Sequence, residues 1–206
     1  NRVREGNFSL TNLIGFNLHK KVVGVIGTGK IGAAFCRIAS GFGCEVLAYD
    51  IHKSEELERT GVKYVSLDEL FNKSDVMSLH CPLNEHTKHI VDKNSIAKMK
   101  DGVLLVNTSR GALVNTKDVI AGLKSKKIAF LGIDVYEQEE NLFFNDLSES
   151  IINDDLLLRL NSFPNVLITS HQAFFTKEAM TEITTTTLNN IKEFENDQVL
   201  TNEVNL

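Results

Sequence analysis

Short apolar runs recur along this chain, and the segments between them carry apolar residues at helical spacing. The runs are continuously apolar rather than alternating, which is typical of strands that helices cover on both faces. We predict strands at 22–26, 45–49, 62–65, 75–79, 103–107, 129–135 and 166–169, and helices or helical turns at 31–40, 54–60, 67–72, 93–100 and 117–126. This alternation predicts an α/β fold with a doubly wound parallel sheet of about seven strands.

The last third of the chain has a different pattern. Residues 137–155 are largely polar and acidic and contain the patch Leu142-Phe143-Phe144, and we expect a loop there. Residues 176–196 then place apolar side chains at helical spacing, including Ala179, Ile183 and Ile191. This spacing predicts one long helix.

A glycine motif lies between the first predicted strand and the first predicted helix. Gly27, Gly29 and Gly32 fit the pattern G-x-G-x-x-G. In that pattern the first glycine permits a tight turn, the second lets the backbone approach a pyrophosphate, and the third allows close packing of helix and strand. Asp50 ends the second strand at about the distance expected for the acid that binds the ribose. The motif therefore predicts a Rossmann-type dinucleotide site.

Composition narrows the class of protein. The chain has 206 residues, of which 42% are hydrophobic and 24% charged, as in an ordinary globular domain. A net charge of −5 without a basic cluster does not support nucleic-acid binding, and no apolar run has membrane-spanning length. Three cysteines are an odd number and favour reduced thiols in the cytoplasm. Because the chain begins at Asn1, we expect it to be a piece of a longer polypeptide.

Three further side chains that could carry chemistry follow strand ends. Arg110, Glu139 and His171 come after the fifth, sixth and seventh predicted strands, where a dinucleotide would lie. Taken alone, each is more often a surface or structural residue than a catalytic one. Together they suit hydride transfer to a carbonyl, in which histidine supplies a proton, a carboxylate stabilises the imidazolium, and arginine binds a substrate carboxylate.

Several motifs in fixed order resemble the D-isomer-specific 2-hydroxyacid dehydrogenases over nearly the whole chain. Besides the glycine motif they are His80-Cys81-Pro82-Leu83, Asn107-Thr108-Ser109-Arg110-Gly111, Asp134-Val135-Tyr136-Glu137-x-Glu139 and His171-Gln172-Ala173-Phe174. The resemblance implies that Arg110 binds substrate, Glu139 tunes the histidine and His171 donates the proton. It also implies an NAD site lined by Gly27, Gly29, Lys30, Ile31, Gly32, Asp50, Cys81, Pro82, Thr87, Thr108, Ser109, Arg110 and Asp134.

The resemblance also bears on the substrate. Phe174 is similar to the aromatic residue that narrows the substrate pocket in the subgroup acting on lactate, and the Leu142–Asp146 insertion is typical of that subgroup. Both features imply reduction of a short 2-ketoacid such as pyruvate to D-lactate. Thr87 stands where some relatives have asparagine, and His52 and Lys53 beside Asp50 could soften the preference for NAD over NADP.

Family members have a second, substrate-binding domain, which here would be largely missing. We therefore expect residues 1–19 to connect from that domain, 20–175 to form the NAD-binding domain, and 176–206 to return toward the substrate domain. A homodimer is expected from the family, and little turnover is expected of this chain alone.

Three other interpretations remain. A larger 2-ketoacid could be the substrate, or the chain could be an NAD(H)-sensing interaction module without turnover. A metal could also bind His80, Cys81, His86 and His89, although their spacing matches no common zinc pattern, and we predict no metal.

Overall fold

A computed structural model describes residues 2–11 and 14–204, so parts of the predicted terminal segments, at Asn1, Asn12, Leu13, Asn205 and Leu206, lie outside the described residues. Seven strands form one sheet in which all neighbours are parallel. In chain order, β1 to β7 are Val22–Ile26, Glu45–Tyr49, Lys63–Tyr64, Val76–Leu79, Val103–Asn107, Ile128–Ile133 and Val166–Ile168. The predicted fold class is confirmed.

Within the described ranges, α-helices connect or follow these strands. In chain order, α1 to α7 are Lys30–Gly41, Glu55–Arg59, Leu67–Lys73, Lys93–Lys98, Thr116–Lys124, Asp155–Asn161 and Lys177–Glu195. Side chains at the N-cap positions start most of these helices, such as Ser54 for α2 and Asn115 for α5.

The strand order is β3-β2-β1-β4-β5-β6-β7. The chain therefore winds outward from β1 in one direction and then returns to add β4 on the other side of β1. A crevice opens at this reversal, outside the carboxyl ends of β1 and β4, and ligands of doubly wound sheets bind there. The glycine motif follows β1 directly, so the fold places it in that crevice.

The core lies on both faces of the sheet. The larger cluster joins the central strands to α3, α4, α5 and α6, through residues such as Leu70, Ile96 and Leu160. The smaller cluster joins β1 and β2 to α1 and α2, through Cys36 and Leu57. Around β1 and β2 the parallel strands are stable because both faces of the sheet are withdrawn from water.

One face of β5, β6 and β7 is left open by the part of the chain described. This concave apolar surface is lined by residues that include Leu104, Val106, Phe130, Val166 and Leu167. Leu167 is 68% exposed, and the ring of Phe130 lies near the ring of Phe16, at a centroid distance of 6.4 Å.

Two kinds of sequence prediction need correction. Some predicted strands are too long: β3 pairs with β2 at only two positions rather than over 62–65, and β6 ends at Ile133 because Asp134 begins the loop. The predicted acidic loop 137–155 is followed by α6, a helix that was not predicted. Its N-cap Asp154 accepts a hydrogen bond from the Leu157 amide, 2.8 Å away, and this capping residue was the available signal.

The predicted long helix forms as α7, but its apolar positions do not face a core. None of its residues is buried, and Ile183 and Ile191 are about half exposed, at 48% and 49%. Helical periodicity identified the element correctly but could not show what, if anything, covers it. No helix in the described ranges is long and apolar enough to cross a membrane.

Candidate active site

The glycine turn is shaped by close backbone packing. Gly27 has a φ of 92°, and a Cβ there would lie 2.5 Å from the amide nitrogen of Cys81. A Cβ on Gly32 would lie 2.0 Å from the carbonyl oxygen of Gly27, so α1 can approach β1 only with glycine at this position. A Cβ on Gly29 would meet nothing within 4 Å, so this side of the turn is open. The turn thus has the shape that a pyrophosphate requires.

Asp50 lies beside this turn and is already hydrogen-bonded. Its Oδ2 accepts from the backbone nitrogen of Thr28 at 2.6 Å, and its Oδ1 accepts from the His52 nitrogen at 2.9 Å. Partial burial alone would raise the pKa of Asp50, but the hydrogen bonds from Thr28 and His52 lower it below the ordinary value. The carboxylate is therefore charged at neutral pH, which is the state in which an acid at this position of a Rossmann fold accepts hydrogen bonds from a ribose and repels a 2′-phosphate.

The remaining residues predicted to line an NAD site lie along the same edge. Lys30 and Ile31 are exposed at the first turn of α1, and Thr108 is exposed after β5. Cys81 is buried after β4, and burial raises the pKa of its thiol to about 11. Pro82 is exposed, and its carbonyl accepts from Thr87 Oγ1 at 2.6 Å.

Arg110 projects from a loop that buried polar groups hold in place. The fully buried Asn107 donates from Nδ2 to the Arg110 carbonyl at 2.8 Å and accepts at Oδ1 from the Ser109 nitrogen at 3.1 Å. Ser109 Oγ donates to the carbonyl of Cys81 at 2.9 Å, joining the loops after β4 and β5. The Arg110 side chain is exposed and donates to the neighbouring Ser109 carbonyl. Its guanidinium has further donors with which it can bind a carboxylate.

Glu139 and His171 form a side-chain pair across two loops. Glu139 Oε1 lies 2.9 Å from His171 Nδ1, and Glu139 Oε2 accepts from the Tyr136 backbone nitrogen at 2.8 Å. With Nδ1 bonded to the carboxylate, Nε2 is the ring nitrogen that has no hydrogen-bond partner among the described residues. This is the arrangement in which a carboxylate orients a histidine for proton transfer.

Asp134 supports the loop that carries His171, called the histidine loop below. Its carboxylate accepts from Thr169 Oγ1, from the Gln172 nitrogen at 3.0 Å and from the Ala173 nitrogen at 2.9 Å. The Asp134 carbonyl also accepts from the His171 nitrogen at 2.6 Å. Asp134 was predicted to line the cofactor site, and the structure shows that its carboxylate faces the loop that carries His171.

Two aromatic rings flank His171. The Phe174 ring meets the imidazole edge-on at a centroid distance of 6.3 Å, and the Phe144 ring lies 5.8 Å from it. Phe144 is 74% exposed, whereas the adjacent Phe143 is buried and packs near Tyr136. The position of Phe144 beside the histidine could not be read from the sequence, where it stood only within an apolar patch.

A clamp formed by Glu137 was not predicted from the sequence. One carboxylate oxygen accepts from the backbone nitrogen and the hydroxyl of Thr116, at 3.1 and 2.8 Å, and the other lies 2.7 Å from His89 Nε2. This clamp joins the loops after β4, β5 and β6. His80 instead lies 2.8 Å from Ser78 Oγ, so His80 and His89 of the alternative metal site have separate partners. No group of three or more potential metal ligands occurs among the described residues.

A doubly wound sheet with a glycine turn and an acid at its switch point has the form of a dinucleotide-binding domain, and here an arginine and a carboxylate-paired histidine lie at the same edge of the sheet. Residues 1–173 match the family model of the D-isomer specific 2-hydroxyacid dehydrogenases, NAD binding domain. The chain belongs to this family, and NAD is the cofactor that the domain binds.

Individual relatives agree with this family assignment. The chain is 49% identical to D-lactate dehydrogenase from Escherichia coli over 203 residues, covering 98% of the chain and 62% of the relative. The structure of the pyruvate reductase of Chlamydomonas reinhardtii matches with a TM-score of 0.94 and 46% identity, covering 98% of this chain and 61% of that one. D-lactate dehydrogenase from Aquifex aeolicus, complexed with NAD and lactic acid, matches with a TM-score of 0.87 and 38% identity, covering 95% and 60%. The chain thus spans about three fifths of the length of these relatives.

Proposed function

We propose that the protein containing this chain reduces pyruvate to D-lactate with NADH. The observation that carries this proposal is the pairing of His171 Nδ1 with Glu139 at 2.9 Å, on the sheet edge that also carries Arg110. Relatives named D-lactate dehydrogenase or pyruvate reductase support the choice of substrate.

The residues present fit NAD. We assign the pyrophosphate to the turn from Gly27 to Gly32 and the ribose to Asp50, with Lys30, Ile31, Pro82, Thr87 and Thr108 around the rest of the cofactor. When bound, NADH supplies the hydride for the carbonyl carbon.

The chain's own residues supply binding and the proton. Arg110 holds the substrate carboxylate and polarises the carbonyl beside it. His171 donates a proton from Nε2 to the carbonyl oxygen as negative charge develops there. Glu139 fixes the ring orientation and stabilises the imidazolium before transfer.

The aromatic rings around His171 support a small substrate. Phe174 and Phe144 narrow the space on the outer side of the imidazole, which suits the methyl group of pyruvate better than a longer side chain. A larger 2-ketoacid is the alternative, and it would require these rings to move apart.

We further propose that the 206-residue chain binds NADH but turns over slowly by itself. The site is open where Arg110 and Phe174 are exposed, and the family's relatives are longer. Water exclusion around the reacting atoms would then need a second domain. We also propose a cytoplasmic homodimer, in keeping with three free cysteines and the expectation from the family.

A titration followed by an activity assay tests these proposals. NADH fluorescence is titrated with the chain, and NADH oxidation is then measured with pyruvate, 2-ketobutyrate and phenylpyruvate, for the chain and for any longer gene product that contains it. We expect binding by both polypeptides and rapid oxidation, with pyruvate preferred, only by the longer one.

His171→Asn is the control variant. It should retain NADH binding and lose oxidation by a factor of about 10² or more, as for a missing general acid. Tight NADH binding without oxidation of any 2-ketoacid, in both polypeptides, would favour the sensing module. Rapid turnover by the 206-residue chain would overturn the proposal that it needs a second domain.

A further inference from the structure

The hydroxyl of Tyr64 connects the two loops that enclose Asp50. Tyr64 lies on the edge strand β3, opposite Ala48 of β2, and its ring is partly buried in the smaller core cluster. Its Oη lies 2.8 Å from Thr28 Oγ1 in the glycine turn and accepts from the Ser54 nitrogen at 3.1 Å. Neither the cofactor motif nor the family resemblance singled out Tyr64.

The available protons fix the direction of this hydrogen-bond chain. Thr28 Oγ1 lies 3.1 Å from Asp50 Oδ2, and a charged carboxylate can only accept, so the single hydroxyl proton of Thr28 goes to Asp50. The proton between Tyr64 and Thr28 must then come from Tyr64. The chain runs from the Ser54 amide through Tyr64 and Thr28 to Asp50, and successive bonds in one direction strengthen each other.

These bonds leave Asp50 with little freedom. A carboxylate has about four acceptor positions. The amide and hydroxyl of Thr28 fill those on Oδ2, and the His52 amide fills one on Oδ1. The position that remains is on Oδ1, and its direction is set by the bonds on the other oxygen.

We propose that Tyr64 is a positioning residue for cofactor selection: through Thr28 it holds the Asp50 carboxylate so that Oδ1 accepts one hydroxyl of the adenosine ribose. The inference uses NAD binding and does not depend on the substrate or on turnover. Tyr64 itself does not touch the reacting atoms. Its contribution is to the difference in binding affinity between a cofactor with an unmodified ribose and one whose ribose carries a 2′-phosphate.

Tyr64→Phe keeps the ring in the core and removes only the hydroxyl. We expect the Kd for NADH to rise about fivefold, the effect of one lost hydrogen bond. The Kd for NADPH should not rise, because Asp50 repels its phosphate rather than binding it. The preference for NADH over NADPH should therefore fall by about the same factor. General damage to the fold would instead weaken both cofactors.

Tyr49→Phe is the matched control. Tyr49 lies on the adjacent strand β2 and packs against the larger core cluster, and its hydroxyl has no hydrogen-bond partner among the described residues. The same substitution there should leave both dissociation constants unchanged. Fluorescence titration of the 206-residue chain with each cofactor measures all of these values.

A double-mutant cycle tests whether Tyr64 acts through Asp50. In an Asp50→Ala background, Tyr64→Phe should change the Kd for NADH by less than about 1.5-fold, because the carboxylate it positions is gone. An undiminished fivefold effect in that background would overturn the proposal, as would an unchanged Kd in the single variant. If the unaltered chain failed to bind NADH, the cofactor assignment would fail together with this inference.

Thr28 gives a second route if Tyr64→Phe folds poorly. Thr28→Ser keeps the hydroxyl that links Tyr64 to Asp50, whereas Thr28→Val keeps the shape and removes the hydroxyl. We expect Thr28→Val to reduce the NADH preference and Thr28→Ser to retain it. Equal behaviour of the two variants would contradict a role for the hydrogen-bond chain.

Discussion

At the scale of single residues, the site depends on buried polar groups that hold the exposed ones. Glu139 orients His171, while Asn107 shapes the loop that presents Arg110. Asp134 supports the histidine loop with three accepted hydrogen bonds. Such buried acceptors cost little when fully paired and much when one partner is removed.

Asp134→Asn should therefore destabilise the chain by about 2 kcal/mol at pH 7, since one accepting oxygen is replaced by a donor that faces other donors. Burial by itself would raise the pKa of Asp134, but hydrogen bonds from Thr169, Gln172 and Ala173 and the neighbouring His171 lower it. A lowered folded-state pKa stabilises the fold above the ordinary aspartate pKa of about 4, and this stabilisation disappears as pH falls through the folded value.

Urea unfolding at pH 7 and in steps down to pH 3 measures the difference in the free energy of unfolding between the unaltered chain and Asp134→Asn. The advantage of the unaltered chain over Asp134→Asn should shrink steadily in acid. Asp101→Asn, at a side chain 90% exposed and paired with Lys127, should stay close to the unaltered chain at every pH. A pH-independent gap for Asp134→Asn would show that its charge is not what stabilises the loop.

At the scale of elements, the cofactor site is a consequence of how closely α1 packs on β1. Gly32 lies on the buried face of α1, where a methyl group would meet the Gly27 carbonyl oxygen at 2.0 Å. Gly41 ends the same helix, and a methyl group there would meet nothing within 4 Å. One helix thus contains a glycine that packing requires and a glycine that it does not.

Gly32→Ala should lower the free energy of unfolding by about 2 kcal/mol, because α1 must move away from the turn. It should also weaken NADH binding, since the N–H groups at the start of α1 move with the helix. Gly41→Ala should be neutral or stabilising by up to about 1 kcal/mol through helix propensity. Thermal melts and NADH titrations of both variants compare them, and equal behaviour would rule out the close-packing explanation.

At the scale of the whole molecule, the described residues form a well-packed sheet with two apolar surfaces left uncovered. One is the open face of β5 to β7, and the other is the apolar side of α7. Helix formation in α7 is local, and little tertiary packing supports it within the part of the chain described.

Amides in α7 should exchange with deuterium much faster than those in β4 and β5, because local opening of an unpacked helix exposes little apolar surface. Peptides covering 177–195, 76–79 and 103–107 can be compared by mass spectrometry. Protection in α7 equal to that in the strands would contradict this expectation. Repeating the experiment at several protein concentrations would show whether self-association provides such protection.

Much of the fold and the site could be predicted because it depends on local patterns. The seven strands, the turn of Gly27 to Gly32 and the class of cofactor follow from apolar runs and fixed spacings, and errors at strand ends amount to one or two residues. Helix α6 was not predicted because its apolar residues form only a short run directly after an acidic segment. The Glu137 clamp to Thr116 and His89 has no local signal at all, since its members follow three different strands and lie far apart in the chain.

The order of strands and helices, the glycine turn and the presence of an arginine, a glutamate and a histidine at strand ends can all be read from the amino-acid sequence. Neighbouring residues along the chain decide these features through backbone geometry and side-chain periodicity. In contrast, the folded chain is needed to show that Tyr64 reaches Asp50 through Thr28, that Phe144 lies beside His171, and that one face of β5 to β7 stays open. Those contacts depend on strand order and on the paths of loops, and they join residues far apart in the chain.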